Sequence, residues 1–501
     1  MKSRDTLPVL TPRDMKRTEQ NAFSRGVPSI LLMEHAAEAV VRALATVLGG
    51  SCAGKRAAFL CGPGNNGGDG IAAARLFQQQ GGCARILLTA DPQTAEAKTQ
   101  LQWARFMPGM AVNRYVEQPL SGYDAVVDAL LGTGLKGAPD GMTADAIRAA
   151  NGCGVPIVAV DIPSGIDGET GACARDTYIR AAVTVTFHAP KPGLYLTDDR
   201  EAVGRIEIAD IGLWDTEDMY PADLDLDCRL LLPEMLRRIA PRKLNAHKGD
   251  FGRVLICAGS LGMAGAAIMC AKAAIAAGAG RTTVACPRDV MPILQMAVPN
   301  AMCVDIEDAV KNPPAYDVLA VGPGLGDKEE NWRNILALYD PARPSVWDAD
   351  GLNLLARHEM KLGINAVMTP HPGEAARLLR CDNGQIVSDR FAAARALSER
   401  YGCTALLKGD VSILAWPGER GTAFSLNASG TPALAKGGSG DVLCGLAAAL
   451  LVNHSPREAA ALASLWHALA GVMGERKHGQ IELTGEQQIA CLWDARREYG
   501  M

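Results

Sequence analysis

The sequence predicts an α/β protein of two domains, each built on a parallel sheet with helices on both faces. Three observations predict it. Short, wholly apolar runs alternate with alanine-rich helical patterns through both halves of the chain, and runs that apolar suit strands covered on both sides. The runs end in turns, and 53 glycines with few aromatics suit many tight strand-to-helix connections. One acidic stretch with two prolines, "MYPADLDLDCRLLLPEML" (219–236), interrupts the rhythm. A chain of 501 residues is too long for one ordinary core, so the interruption marks a domain boundary near 220–228. The division expected is 1–222 and 223–501.

In the first half, "RAAFLCG" (56–62), "CARILLTA" (83–90), "YDAVVDALLG" (123–132) and "VPIVAVDIPSG" (155–165) read as buried strands running into turns. The second half repeats the pattern in "GRVLICAGS" (252–260), "RTTVACP" (281–287), "YDVLAVGPG" (316–324), "PSVWDADG" (344–351), "NAVMTPHPGE" (365–374) and "CTALLKGD" (403–410). Between them, "GDGIAAARLFQQQG" (68–81), "GAAIMCAKAAIAAG" (265–278) and "EAARLLR" (374–380) read as helices. The halves share no fixed-period repeat.

Composition narrows the class. Apolar residues are 48% and charged residues 21%, which describes a soluble globular protein. A net charge of −5 without a long basic block argues against a nucleic-acid partner. The 14 cysteines are scattered, and no C-x-x-C pair occurs, so a zinc ribbon or a thioredoxin-like site is not expected. No apolar run reaches the roughly 20 residues that span a bilayer. The charged first twenty residues lack an apolar leader, so reduced thiols and a cytoplasmic location are expected.

"CGPGNNGGDG" (61–70) follows a strand and opens a helix. Its glycines let the backbone turn and approach a ligand, and the N–H groups of a helix start suit a phosphate. Asn65, Asn66 and Asp69 add more acceptors than a turn needs. Two further strand ends carry polar residues. Asp128 precedes the glycine loop of "VVDALLGTGLKGAP", and Asp161, Ser164 and Asp167 close "VAVDIPSGID". Ligands of open α/β sheets bind beyond the carboxyl ends of the strands, so the three ends converge on one crevice. Asn66, Asp128 and a Ser164 oxygen are able to hold a hard cation. Loop capping by Asp128 and Asp161 is the plain alternative.

"GGSGDVLCG" (437–445) has the form of an anion hole. N–H groups of Gly438, Ser439 and Gly440 would sit at the positive end of a helix. Asp441 at the same place is useful beside a phosphate if it accepts a proton from an attacking hydroxyl; an acidic helix cap is the alternative. "LLKGDVSIL" (406–414) reads as a strand–turn–strand hairpin lining a nucleotide, or as a plain edge hairpin. "AGSLGMAGAA" and "VGPGLG" are further glycine-rich strand ends. "TPHPGEAARLL" holds His371 between two prolines, and "DADGLNLL" sets Asp350 and Asn353 at another strand end.

These stretches carry a resemblance. In order, "GMAGA", "VGPGLG", "DADGLN", "TPHPGE", "LLKGDVSI" and "GGSGDVLCG" resemble the ADP- or ATP-dependent NAD(P)H-hydrate dehydratases of the ribokinase-like fold. "GPGNNGGDG", "VDALLGTGLKGA" and "DIPSGIDGETG" resemble the NAD(P)H-hydrate epimerases. Together they look like the fused bifunctional repair family of bacteria. The resemblance implies a Rossmann-like three-layer first domain and a ribokinase-like second one. It implies epimerisation of the R and S hydrates of NADH and NADPH (NADHX and NADPHX), and dehydration of the S form driven by ADP or ATP with Mg2+. A homo-oligomer is also implied.

Residue by residue, the resemblance assigns the hydrate of the first domain to Asn65, Asn66, Gly67, Gly68 and Asp69, to Gly132, Thr133, Gly134, Leu135, Lys136, Gly137 and Ala138, and to Asp161. Asp161 is expected beside the epimerised carbon, and Asn66, Asp128 and Ser164 would bind K+. In the second domain Ala266, Gly324 or Gly326, His371 and Asp441 would meet the hydrate, with Asp441 catalytic. Lys408, Gly409, Asp410, Val411, Ser412 and Gly440 would meet the nucleotide. The lead-in Asn427-Ala428-Ser429-Gly430-Thr431 differs from the commoner N-P-T-G-N of the family. The competing reading is a ribokinase-like small-molecule kinase fused to a non-catalytic Rossmann-like binding domain.

Overall fold

A computed structural model describes residues 5–134, 137–214 and 216–500. Chain contacts divide it into two compact units, one of Pro8–Leu226 and one of Met1–Leu7 with Asp227–Met501.

The first unit holds a seven-stranded sheet in which every pairing is parallel. Its order across the sheet is Ala111–Arg114, Cys83–Leu88, Arg56–Cys61, Ala125–Ala129, Ile157–Val160, Val183–Phe187 and Arg205–Ala209. The chain starts in the middle with Arg56–Cys61, builds outward on one side, then returns to build on the other. The strand order therefore reverses between Arg56–Cys61 and Ala125–Ala129, where a crevice opens at the carboxyl ends. Burial alternates along the strand. Ala57, Phe59 and Cys61 join the layer of Val40, Ile71 and Phe77, whereas Ala58 and Leu60 join that of Ile147 and Ala150. Two buried faces explain why these strands read as unbroken apolar runs.

The second unit holds an eleven-stranded sheet. From Met302–Asp305 it runs through Arg281–Cys286, Arg253–Cys257, Val318–Val321, Ser345–Trp347, Ala366–Met368 and Thr404–Leu407, all parallel. Ser412–Gly418 is antiparallel to both neighbours, Thr404–Leu407 and Gly421–Asn427. Cys228–Leu231 and Thr6–Pro8 finish that edge. The order reverses between Arg253–Cys257 and Val318–Val321. Helix Ser439–Leu450 lies so close to helix Ala264–Ala276 that a Cβ on Gly445 would stand 2.2 Å from the Cys270 carbonyl oxygen.

The strands expected from apolar runs form. Those not expected are Ala111–Arg114, Val183–Phe187, Arg205–Ala209, Met302–Asp305, Gly421–Asn427, Cys228–Leu231 and Thr6–Pro8. Four of them, Thr6–Pro8, Met302–Asp305, Ala111–Arg114 and Arg205–Ala209, are the outermost strands of their sheets, where half-polar sequences suffice. Val183–Phe187 is buried throughout, with Thr184 and Thr186 fully inside. The acidic stretch 219–236 contains a strand of the second unit, the contact division at 226/227 lies in the region 220–228, and residues 5–7 group with the second unit. No helix among the described residues is long and apolar enough to cross a membrane.

Candidate active sites

In the first unit the strands ending at Cys61 and Ala129 are in register, and the loops after them touch. A Cβ on Gly62 would lie 1.8 Å from the Leu130 carbonyl oxygen, and one on Gly67 would lie 1.9 Å from that of Gly62. Only glycine permits this approach, which starts helix Asn65–Gln79 directly over the switch point. The result is a cleft of about 840 Å3. Asn65, Asn66, Asp69, Gly132, Thr133, Gly134 and Asp161 line it, with Glu19 and Lys191. Gly67 and Gly68 are buried behind it. Gly137 and Ala138 sit further along an exposed loop and do not line it. Leu135 and Lys136 lie outside the described residues.

Asn66, Asp128 and Ser164 form one linked cluster. Asp128 is fully buried, and Ser164 donates to it twice, from the hydroxyl at 2.6 Å and the N–H at 2.8 Å. Leu130 N–H adds a third bond at 3.2 Å. Burial pushes Asp128 up to about 6 despite these donors. Leu131 N–H donates to Ser164 Oγ at 2.9 Å, and Asn66 Nδ2 donates to the Leu131 carbonyl at 2.9 Å. Asn66 Oδ1 is buried and has no hydrogen-bond partner among the described residues. An orphaned acceptor beside a buried carboxylate fits a bound cation.

Asp161 follows strand Ile157–Val160 with φ +65°, a left-handed conformation uncommon for a residue other than glycine. Its Oδ1 accepts from Lys191 Nζ, from Thr186 Oγ1 at 3.1 Å and from Phe187 N–H at 3.4 Å.

In the second unit the loops of the switch point also interlock. Gly324 has φ +61°, and a Cβ there would lie 2.6 Å from the Met263 carbonyl oxygen and 3.0 Å from Ala266 Cβ. Ser260 Oγ donates to the Gly324 carbonyl at 2.8 Å, and Gly326 N–H donates to Asp350 at 2.8 Å. Ala266 and Gly324 are thus in contact, and a cavity of about 790 Å3 opens beside Gly326.

Helix Ser439–Leu450 begins at Gly438, which has φ +92° and offers no side-chain cap. Its first N–H groups stay available, as an anion hole requires. Asp441 lies in this first turn, pushed up to about 7 by burial and then by Asp348 and Asp350, with Lys408 opposing. A Cβ on Gly440 would stand 3.4 Å from Lys408 Nζ and 3.5 Å from Asp348 Oδ2. Lys408 pairs with Asp348 at 2.8 Å and Glu374 at 3.8 Å. Burial opposes its charge, but the two carboxylates outweigh it and raise its pKa. His371 caps helix Pro372–Leu379, accepting at Nδ1 from Gly373 N–H at 3.0 Å, which leaves the proton on Nε2, 3.4 Å from Glu374. Burial lowers its pKa, so it is neutral at physiological pH.

Turn 408–412 is fastened by Arg390, which pairs with Asp410 at 3.0 Å and donates to the Val411 carbonyl at 2.5 Å. A Cβ on Gly409 would strike that guanidinium at 2.2 Å. Ser412 opens the antiparallel strand, paired with Asn427.

The family described as NAD(P)H-hydrate dehydratase matches residues 254–491, and that described as YjeF-related protein N-terminus matches residues 29–193. The bifunctional NAD(P)H-hydrate repair enzyme of Moorella thermoacetica is 36% identical, over 94% of this chain and 93% of its own. That of Escherichia coli is 38% identical, over 83% and 80%. The chain belongs to the bifunctional NAD(P)H-hydrate repair family. Among solved structures, the ADP/ATP-dependent NAD(P)H-hydrate dehydratase of Bacillus subtilis, co-crystallised with ATP and Mg2+, is 26% identical. It aligns over 54% of this chain and 97% of its own, with TM-score 0.49.

The two candidate sites also contain polar side chains that their motifs do not mark. Lys191 (1% exposed) stands in "HAPKPG", which reads as an ordinary loop. Glu19 stands on helix Pro12–Ser24, outside every motif of the sequence. Asp348 (1% exposed) was hidden by its neighbour Asp350 in "DADG", although a buried strand end was already a signal. His467 Nε2 donates to the Ser439 carbonyl at 2.9 Å, and burial brings it down to about 4, so it is neutral.

Proposed function

We propose that the chain repairs hydrated nicotinamide cofactors: the first unit interconverts R and S NAD(P)HX, and the second dehydrates the S form with ADP or ATP. The observation that carries the reading is Asp441, half-buried in the first turn of an uncapped helix above the Lys408–Asp348 pair. Hydroxide is a poor leaving group from C6 of the ring. The uncapped N–H groups from Gly438 onward hold the transferring phosphoryl group, and Asp441 takes the C6 hydroxyl proton as that oxygen attacks. The terminal P–O anhydride bond of the nucleotide breaks, releasing AMP or ADP, and inorganic phosphate then leaves C6 with the C–O electron pair as the ring-nitrogen lone pair forms the C=N bond. Loss of the C5 proton restores the dihydropyridine. A value near 7 suits Asp441 to this work, since it is ionised yet basic at neutral pH.

His371, Ala266 and Gly324 or Gly326 are assigned to the hydrate, and the cavity beside Gly326 has room for the rest of a dinucleotide. Gly440 and turn 408–412 are assigned to the nucleotide, whose phosphates bring Mg2+ as counter-ion. In the first unit Asn66, Asp128 and Ser164 are assigned to K+, which would supply a fixed positive charge at the crevice. Asp161 is assigned to the epimerised carbon.

The test is incubation of NADHX with ADP or ATP and Mg2+. Return of the near-ultraviolet absorbance of NADH with release of phosphate is expected. A lasting phosphorylated product would establish a small-molecule kinase instead, and no reaction with either nucleotide would overturn the dehydratase reading.

A further inference from the structure

The cleft of the first unit contains more acid–base machinery than Asp161 alone. Lys191 is 1% exposed, and its ammonium faces three acceptors: Asp161 Oδ1, Thr186 Oγ1 at 3.1 Å and the Phe187 carbonyl at 3.3 Å. An ammonium has three N–H bonds, so all are committed and the group cannot turn toward a ligand. Every bond to the Asp161 carboxylate falls on Oδ1. Among the described residues Oδ2 has no partner, although Asp161 lines the cleft. The lysine thus fixes one oxygen and leaves the other for the ligand.

A second carboxyl lines the same cleft. Glu19, on helix Pro12–Ser24, is half-buried and has no hydrogen-bond partner among the described residues. The charges that act on it are Lys191 and Asp161 from the loops of the sheet, Lys16 from its own helix and Asp69 from helix Asn65–Gln79. Arg13, Glu96 and Glu169 complete the charged lining. At the floor, three carboxyls therefore surround one fully committed ammonium.

We propose, resting on the epimerase reading, that Lys191 is a positioning residue that fixes Asp161 as the base of this site, and that Glu19 is its acid. Burial first, then the Asp161 charge, push Glu19 up to about 7 against the pull of Lys191 and Lys16, so it carries a proton in much of the protein at neutral pH. Asp69 is pushed well above the usual carboxylate range by burial, with Asp161 and Glu19 adding to it, and leaves Glu19 the more readily exchanged acid.

The chemistry balances without a redox step. Glu19 gives its proton to the C6 hydroxyl, the C6–O bond breaks with its electron pair on the departing water, and the ring nitrogen forms C=N. Water then adds to the other face of C6, the C=N pair returns to nitrogen, and Asp161 Oδ2 takes the proton of the entering water. One water leaves, one enters, and Asp161 and Glu19 regain their starting forms through cleft water.

The test measures epimerisation of R-NADHX by chromatographic separation of the two forms, against pH, in the full chain and in Lys191→Met, Lys191→Arg and Glu19→Gln. Dehydration of pure S-NADHX by the same preparations reports the second unit. The full chain should epimerise less well as pH rises through about 7. Lys191→Met should lose about 100-fold in kcat with little change in KM, and Lys191→Arg should recover part of it. Glu19→Gln should lose a similar factor and the decline above pH 7, with dehydration of the S form unchanged in all three. Lys191→Met at the wild-type rate, or Glu19→Gln retaining the decline, overturns the assignment. Should Lys191→Met not fold, the other two variants carry the same test. A full chain that interconverts nothing overturns the epimerase reading and this assignment with it, whereas an active full chain with unaffected variants overturns this assignment alone.

Discussion

Lys408 Nζ lies 2.8 Å from Asp348 Oδ1, and both stand next to Gly440 in the first turn of helix Ser439–Leu450. The pair places a cation under the proposed site of phosphate transfer and a carboxylate whose charge helps burial to raise Asp441. Removing the lysine leaves Asp348 buried without its counter-charge. Lys408→Met should destabilise the second unit by roughly 2–4 kcal/mol, read from thermal or denaturant unfolding. An unchanged transition would mean that the pair with Lys408 contributes nothing measurable to the stability of the second unit.

Asp441 must be ionised to accept a proton. Because burial raises it to about 7, dehydration should climb as pH rises through that value and level off above it. Asp441→Asn should cut kcat by about 100- to 10,000-fold while ADP still binds. A pH profile flat through neutrality would contradict the role given to this carboxyl.

Two glycines of "GGSGDVLCG" should separate binding from packing. At Gly440 a methyl group meets only contacts of ordinary length, so Gly440→Ala should fold as the wild type does and raise the KM for ADP. At Gly445 it meets the Cys270 carbonyl at 2.2 Å and Ala273 Cβ at 2.8 Å. Gly445→Ala should therefore lose about 1–3 kcal/mol of stability. Unfolding midpoints and nucleotide titrations of the two proteins check both halves.

The orphaned Asn66 Oδ1 gives the K+ assignment a readout apart from activity. Melting temperature should be higher in potassium than in lithium chloride of equal ionic strength, by a few degrees, since an ion bound only to the native state stabilises it. Asn66→Ala should erase the difference. Equal melting in both salts would remove the ion from the assignment.

Legibility of the sequence followed a physical rule. Asp128, Ser164 and Asp161 stood out because each ends a run so apolar that a polar residue there demands a reason. Glycines stood out where the backbone makes close approaches, at Gly62, Gly67 and Gly322. Lys191 did not, because its importance lies in burial, and nothing in "HAPKPG" shows that the loop folds inward. Val183–Phe187 was missed for a related reason: Thr184 and Thr186 look solvent-facing until Thr184 donates to the Val203 carbonyl and Thr186 turns to Asp161. Glu19 depends wholly on which helix face meets the cleft, and local sequence carries no such information.

Strand Thr6–Pro8 belongs to the sheet edge finished by Cys228–Leu231, while Pro8–Leu226 forms a unit of its own. In connectivity the first unit is thus a guest lodged between two pieces of its host. The host's outermost strand is made more than two hundred residues before its neighbour in the sheet. Dividing the gene at the acidic stretch would separate these two strands. The downstream fragment would then present Cys228–Leu231 as a bare edge, ready to pair with another copy of itself. The repair of one half by the other, in trans, would require only the missing segment around Thr6–Pro8.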